Sequence, residues 1–325
     1  MTKTLTSVAA LFVLAGAAGA QTLPSWNDSA SRDAIISFVD AVTEEGGQNF
    51  VPEADRIAVF DNDGTLWTEQ PVYFQAIYAL DQVKARGAED PSLLTSDVLK
   101  AAAAGDLETV LASGMDGVLE VINFSHSNVT VADFKASAHD WMTSATHPQS
   151  GMAYAEMTYQ PMVELLEYLR EEGFATYIVS GGGIDFIRAI SQDAYGIPPQ
   201  QVVGSEGTTH YEVIDGTPTL MKDGGLSFND DKDGKPVGIE RFIGKRPIFA
   251  AGNSDGDFQM LEWTSAGEGP SLGMLVHHTD DTREYAYDRE GHIGVLNMGL
   301  DEAEARGWVI VDMAQDWSAI WTGQD

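Results

Sequence analysis

Asp61-Asn62-Asp63-Gly64-Thr65 sets two carboxyl groups two residues apart, directly after the apolar run Ile57-Ala58-Val59-Phe60. A carboxylate is a competent nucleophile toward phosphorus, giving an aspartyl-phosphate. A second carboxyl group beside it can protonate the leaving oxygen and then deprotonate the attacking water. Asp61 suits the first task and Asp63 the second, with Gly64 relieving the turn that aims both into one cavity. The same residue types also make an ordinary Asn/Asp/Gly turn after a strand, so the pentapeptide alone does not decide between the two.

Three further stretches narrow the choice. Ser180-Gly181-Gly182-Gly183 follows another apolar run and precedes a helical stripe at Ile184, Ile187 and Ile190. Backbone N–H groups at a helix N-terminus, helped by a Ser hydroxyl, bind phosphate; a plain Gly-rich connection is the alternative. Gly252-Asn253-Ser254-Asp255-Gly256-Asp257 follows the run from Pro247 to Ala251, and its oxygen-rich side chains suit Mg²⁺, although a solvated acidic loop has the same composition. A phosphoryl group among carboxylates also needs a cation to offset charge in the transition state. Lys235 precedes a stripe at Ile239, Phe242 and Ile243 and is the candidate. Lys232 competes with it, whereas Lys245, just before a strand, belongs at the sheet's opposite edge.

These motifs need a scaffold that brings strand ends together. Short β-branched or apolar runs recur at 56–60, 175–179, 247–251, 272–276 and 308–311, with helical patterns between several of them. One helix is opened by Pro161, striped by Met162, Leu165, Leu166 and Leu169, and closed by Gly173. Such alternation predicts an α/β fold, a doubly wound, Rossmann-like parallel sheet with helices on both faces. Between Glu69 and Thr158 the patterns are helical only, with stops near Gly87 and Gly105 and a start at Thr130, where Thr130 and Asp133 have capping-box spacing. From Val202 to Asp233, Asp215-Gly216 and Asp223-Gly224 read as turns of one or two β-hairpins. The expected division is a leader over 1–20, a core over 21–68 and 159–325, and a helical cap over 69–158.

Composition limits the partners. Lys and Arg total 18 against 50 Asp and Glu, a formal charge of −32. That surface repels nucleic acid and anionic membranes, and it requires a local positive field at any phosphate site. With no Cys, neither a disulfide nor a thiolate chemistry is available. Lys3, the apolar stretch Val8 to Ala17 and Ala18-Gly19-Ala20 have the layout of a secretory signal peptide. The expectation is therefore a chain exported to the periplasm or beyond, free of the membrane after cleavage. Its oligomeric state is left open.

The order and placement of these motifs resembles the haloacid dehalogenase-like superfamily and, within it, the phosphoserine-phosphatase-like branch. The resemblance covers nearly all of the chain after the leader and is strongest at Ile57 to Trp67, Tyr177 to Ile187 and Ile248 to Leu261. It implies Asp61 as nucleophile and Mg²⁺ ligand, and Asp63 as general acid–base with its main-chain carbonyl on the metal. It also implies Ser180 and Lys235 on the phosphoryl oxygens, beside Gly181 and Gly182, with the helical segment as a cap that excludes water. Where the family's last motif usually begins with a metal-binding Asp, this chain has Asn253. Asp257 aligns with the second acidic position and Asp255 is an extra carboxylate, so the direct ligand is open among the three. Asp63 decides against dehalogenation, which attacks carbon and has no use for that acid. Glu69, eight residues after Asp61, either faces a substrate ammonium, as in phosphoserine phosphatases, or caps the first cap helix. The activity implied is Mg²⁺-dependent hydrolysis of a small-molecule phosphate monoester, with a phosphoserine-like substrate as the candidate that the branch suggests. A phosphotransferase or mutase using the same residues and a non-catalytic exported binding protein are the rivals.

Overall fold

A computed structural model of the chain describes residues 22–323, so the leader predicted for 1–20 lies outside the described residues. Nine strands are joined in one sheet: β1 (Ile57–Phe60), β2 (Val129–Thr130), β3 (Ala175–Gly183), β4 (Val202–Ile214), β5 (Thr217–Phe228), β6 (Phe249–Gly252), β7 (Leu272–Thr279), β8 (Ala286–Tyr287) and β9 (Val309–Asp312). The parallel centre runs β4-β3-β1-β6-β7-β9. The chain leaves β1 to build β3 and β4 on one side, then returns to build β6, β7 and β9 on the other. β1 therefore has β3 and β6 as its neighbours, and the ligand crevice of an open α/β sheet forms at such a switch point, beyond the carboxyl ends of the strands. The three strands that precede the chemistry-bearing motifs are thus side by side.

The central strand β1 buries both faces. Ala58 and Phe60 pack with Ile35, Val39, Leu165 and Leu169 from the helices Ala30–Thr43 and Gln160–Glu171. Ile57 and Val59 point the other way, onto Ile239, Met260 and Leu261 from the helices Gly234–Phe242 and Phe258–Ser265. Alternation within a fully apolar run is what two-sided burial demands. A third cluster of Ala79, Val83, Leu99, Ala102, Val110 and Val121 belongs to the segment between β1 and β3. Phe74, Tyr78, Phe134 and Trp141 of that segment pack instead into the main core. Its base is thereby anchored, and only its outer helices have a core of their own. Among the described residues no helix is long and apolar enough to cross a membrane.

Two expectations need correction. The segment 69–158 contains a strand after all: β2 pairs antiparallel with β5 through Val129–Lys222 and Thr130–Met221. Two residues are too few to carry a period, so no pattern betrays it. Asp215 and Gly216 do turn the chain, with φ of 51° and 81°, the left-handed pair of a tight hairpin. Asp223 and Gly224, however, lie inside β5, where the register slips opposite Gly207 to Thr209. A bulge needs the same positive φ as a turn, and Gly224 and Gly225 both supply 80°. One long hairpin results, and it leans against the helical segment.

Candidate active site

Asp61 leaves the end of β1 with its N–H on the carbonyl of Ala251 in β6, 2.9 Å away. The chain then folds back so that the N–H groups of Thr65, Leu66 and Trp67 all point to the carbonyl of Asn62. Gly64 sits at φ 78°, and a Cβ there would lie 2.1 Å from Asn253 Nδ2. A side chain is excluded both by conformation and by space. Trp67 Nε1 donates to Asp63 Oδ1 at 2.8 Å, a fixed hydrogen bond on a residue that reads from sequence as plain packing.

Lys235 is buried at the centre. Its Nζ donates to Asp61 Oδ1 at 2.5 Å, Asp257 Oδ1 at 2.6 Å and the carbonyl of Val179 at 2.9 Å. Lys232 is exposed, and Lys245 binds Asp55 and the carbonyl of Ala54 at the start of β1. Among the three lysines, only Lys235 is placed at Asp61.

The loop after β6 is arranged differently from the sequence reading. Asp257 turns its Oδ2 onto the N–H groups of Asn253 and Ser254, at 3.0 and 3.1 Å, while its other oxygen holds Lys235. Both of its oxygens are engaged, one by Lys235 and the other by the loop N–H groups. Asp255 faces the N–H groups of Asn297 and Gly299, at the start of the helix Met298–Arg306. Asn253 accepts from Thr65 Oγ1 at 3.1 Å and donates through Nδ2 to Glu69 Oε1 at 2.7 Å. Tyr287 also donates to that oxygen, at 2.9 Å. Glu69 is therefore a buried member of the site and not a helix cap: the helix Phe74–Glu89 has Tyr73 at its cap, with no side-chain bond. Tyr287 lies 218 residues away on β8, beyond the reach of any local pattern.

Ser180, Gly181 and Gly182 line the cavity with Asp61 and Asp63 at the end of β3, and the next residue, Gly183, caps the short helix Ile184–Arg188. β3 runs on to Gly183, whose N–H is taken by Gln75 Oε1 at 2.7 Å, and Gly182 N–H bonds Ser180 Oγ at 3.0 Å. β4 passes close to this stretch: a Cβ on Gly204 would lie 3.0 Å from the carbonyl of Gly182. His278, one of two candidates at the end of β7, supports the turn by binding the carbonyl of Gly64, while His277 faces Asp288. His126 and His147 both lie inward: His126 lines the cavity and His147 is buried.

Burial, then the neighbouring Asp257, push the Asp61 carboxyl up to about 8 against the pull of Lys235. Burial also raises Asp63, with the Trp67 hydrogen bond opposing, and raises Glu69 well above the carboxylate range, with Tyr287 opposing. Burial alone would lower Lys235, but Asp257 and Asp61 outweigh it and raise it. Four carboxyl groups thus share one buried ammonium. A divalent cation fits that excess of acid. Among the described residues no three His, Cys, Asp or Glu form a ready-made cage.

Asp230 adds a buried acid that sequence reading passes over. It has no exposure, and neither carboxyl oxygen has a partner among the described residues. Burial lifts it to about 8, with Lys235 opposing. A folded pKa above the unfolded value near 3.9 means that its contribution to stability is intact at low pH and is lost as pH rises toward 8. Asp230→Asn is expected to remove that loss, stabilising the protein at pH 8 by about 2–4 kcal/mol, after allowing for the unpaired amide. Urea midpoints at pH 5 and pH 8 check it: equal slopes for both proteins would refute the assignment.

A family model for haloacid dehalogenase-like hydrolases matches residues 58–262. Among solved structures, a functionally unknown protein from Anaerococcus prevotii shares 18% identity over 80% of this chain and 89% of its own, with a TM-score of 0.51. A protein of unknown function from Bordetella pertussis shares 18% over 79% and 98%, at 0.49. A phosphoserine phosphohydrolase-like protein from Francisella tularensis shares 17% over 77% and 98%, at 0.39. No curated protein matches the chain.

Proposed function

The chain belongs to the haloacid dehalogenase-like hydrolases, and from that premise we propose that it hydrolyses small-molecule phosphate monoesters by way of phospho-Asp61. The observation that carries this reading is the convergence of Asp61, Asp63, Ser180, Asp257 and Lys235 on one cavity at the carboxyl ends of β1, β3 and β6. Lys235 holds Asp61 Oδ1, which leaves Oδ2 to attack phosphorus. As that bond forms, the ester P–O bond breaks and Asp63 passes its proton to the departing oxygen. Burial raises the Asp63 carboxyl, the direction that suits a general acid. Asp63 then takes a proton from water, the water oxygen attacks phosphorus, and Asp61 leaves with inorganic phosphate as product. Ser180 and the main chain at Gly181 and Gly182 are placed to orient the phosphoryl oxygens, and Lys235 to offset their charge.

Asp61, the main-chain carbonyl of Asp63 and Glu69, presented by Asn253, would hold Mg²⁺. When bound, it supplies positive charge that keeps Asp61 ionised and neutralises the phosphoryl oxygens. The place of a family carboxylate is taken by an amide whose nitrogen points at Glu69, so the missing charge returns from the neighbouring residue. We place the protein outside the cytoplasm on the strength of the leader over 1–20.

A phosphate-release screen over many monoesters tests the reading. Turnover should fall at least 100-fold with a chelator and return with Mg²⁺; activity that ignores the chelator would exclude the metal. Adding acceptor alcohols and analysing products separates hydrolysis from phosphoryl transfer.

A further inference from the structure

The cavity that holds Asp61 and Asp63 continues well past them, under the helical segment and the hairpin, to a volume of about 660 Å³. That is the size of a site for a drug-sized ligand, far more than a phosphoryl group fills. Beyond the phosphate end its wall is mostly apolar. Val118, Leu119 and Ile122 come from the helix Gly114–His126, Phe134 from the helix Val131–Ser144, Ile184 from the start of the helix Ile184–Arg188, and Leu226 from β5. Leu119, Leu226 and Tyr73 stay exposed at 37%, 53% and 40% while lining the same space. Large apolar side chains left in water around one opening mark a surface that an apolar ligand covers.

Several polar groups of this wall are already paired. Lys222 is buried, bound to Asp185 and set 4.8 Å over the Phe134 ring. Gln75 bridges Gly183 N–H and His126, and Asn123 Oδ1 accepts from Gly225 N–H at 2.7 Å. His126 is kept neutral, pushed down to about 3 by burial and by Lys222. No arginine lines the cavity, and both of its lysines are paired with carboxylates. Asp231, which also lines it, repels a second anion. An amino-acid ester such as phosphoserine would bring a carboxylate with no free cation to meet it.

We propose that this region is the leaving-group site for a bulky, uncharged, largely apolar alcohol, so that the substrate is a phosphate monoester of an aryl or long-chain alcohol and not of an amino acid. The proposal rests on the phosphatase reading for turnover but not for binding, and the experiment keeps the two apart. With Mg²⁺ present, kcat/KM should climb from n-butyl to n-octyl phosphate by about two- to fourfold per methylene. 2-Naphthyl phosphate should exceed phosphoserine at least 100-fold. In parallel, calorimetry should show n-octylphosphonate binding at least tenfold tighter than n-butylphosphonate, and far tighter than the phosphonate analogue of phosphoserine. Ile122→Asp, on the partly exposed cavity face of its helix, should flatten the octyl-to-butyl ratio in both measurements; Val118→Asn should halve it or more, should the first variant fold poorly. A phosphonate gradient without any ester turnover would support the site and sink the phosphatase. Turnover with a flat phosphonate series, or with phosphoserine preferred, would overturn the proposal.

Discussion

Asp61→Asn is expected to cut phosphate release on the order of 10⁴-fold or more while leaving the protein folded. An amide cannot form the phosphoryl-enzyme bond, and no other carboxylate is placed to replace it. Asp63 is tied to Trp67, and Asp257 to Lys235 and the loop amides. Stability should barely suffer at neutral pH, because Lys235 keeps Asp257 and the Val179 carbonyl as partners. The pH dependence of stability should also weaken. Asp61 in the fold is lifted to about 8, so the wild-type metal-free protein loses stability as pH rises from the unfolded value near 4 through 8. The variant has no such proton to lose, so its melting temperature should fall less between pH 5 and 9. Residual turnover within a hundredfold of wild type would remove Asp61 from its role.

How far the sequence carries this site depends on how local each signal is. Asp61, Asp63 and Gly64 follow a four-residue apolar strand within one short window, and Ser180 and Asn253 do the same after β3 and β6. Their mutual contact needs only the strand order, which alternation of strands and helices already restricts. Lys235 was legible as a candidate because a helical stripe follows it, but choosing it over Lys232 needed three dimensions. Residues that reach the site from afar gave no sign. Tyr287 arrives on a two-residue strand, and Lys222 from the middle of a hairpin whose Gly-Gly bulge imitates a turn. The loop after β6 is opaque for a related reason. Composition reports how many oxygens are present, whereas their engagement by backbone N–H groups, as at Asp257 and Asp255, is a property of the folded loop. Glu69 shows the opposite case: its position was noticed, and only the structure reveals Asn253 as its partner.

Lys235→Met is expected to damage both stability and catalysis, and the two losses have different causes. Within the fold, one ammonium serves Asp61, Asp257 and the Val179 carbonyl, with only 2% of its surface exposed. Removing one partner of a buried ion pair strands the other, at a cost of about 3–5 kcal/mol, to which the unpaired carbonyl adds about 1–3 kcal/mol. Without the cation the Asp61 carboxyl must rise further, so the deficit should be smaller at pH 5, where it can hold a proton, and larger at pH 8, where it cannot do so without cost. Urea denaturation of the metal-free protein at both pH values measures that difference. Catalysis should fall roughly 10²–10³-fold through lost stabilisation of phosphoryl charge, and this loss should persist at pH 5 and under stabilising osmolyte. Adding Asp257→Asn separates the causes: the double variant keeps one fewer buried charge and should regain part of the stability, but none of the turnover. If the double variant recovered activity along with stability, Lys235 would be a scaffold for Asp61 and not a participant in the reaction. If Lys235→Met were as stable as wild type at pH 8, the charge balance drawn for this centre would be wrong at its root.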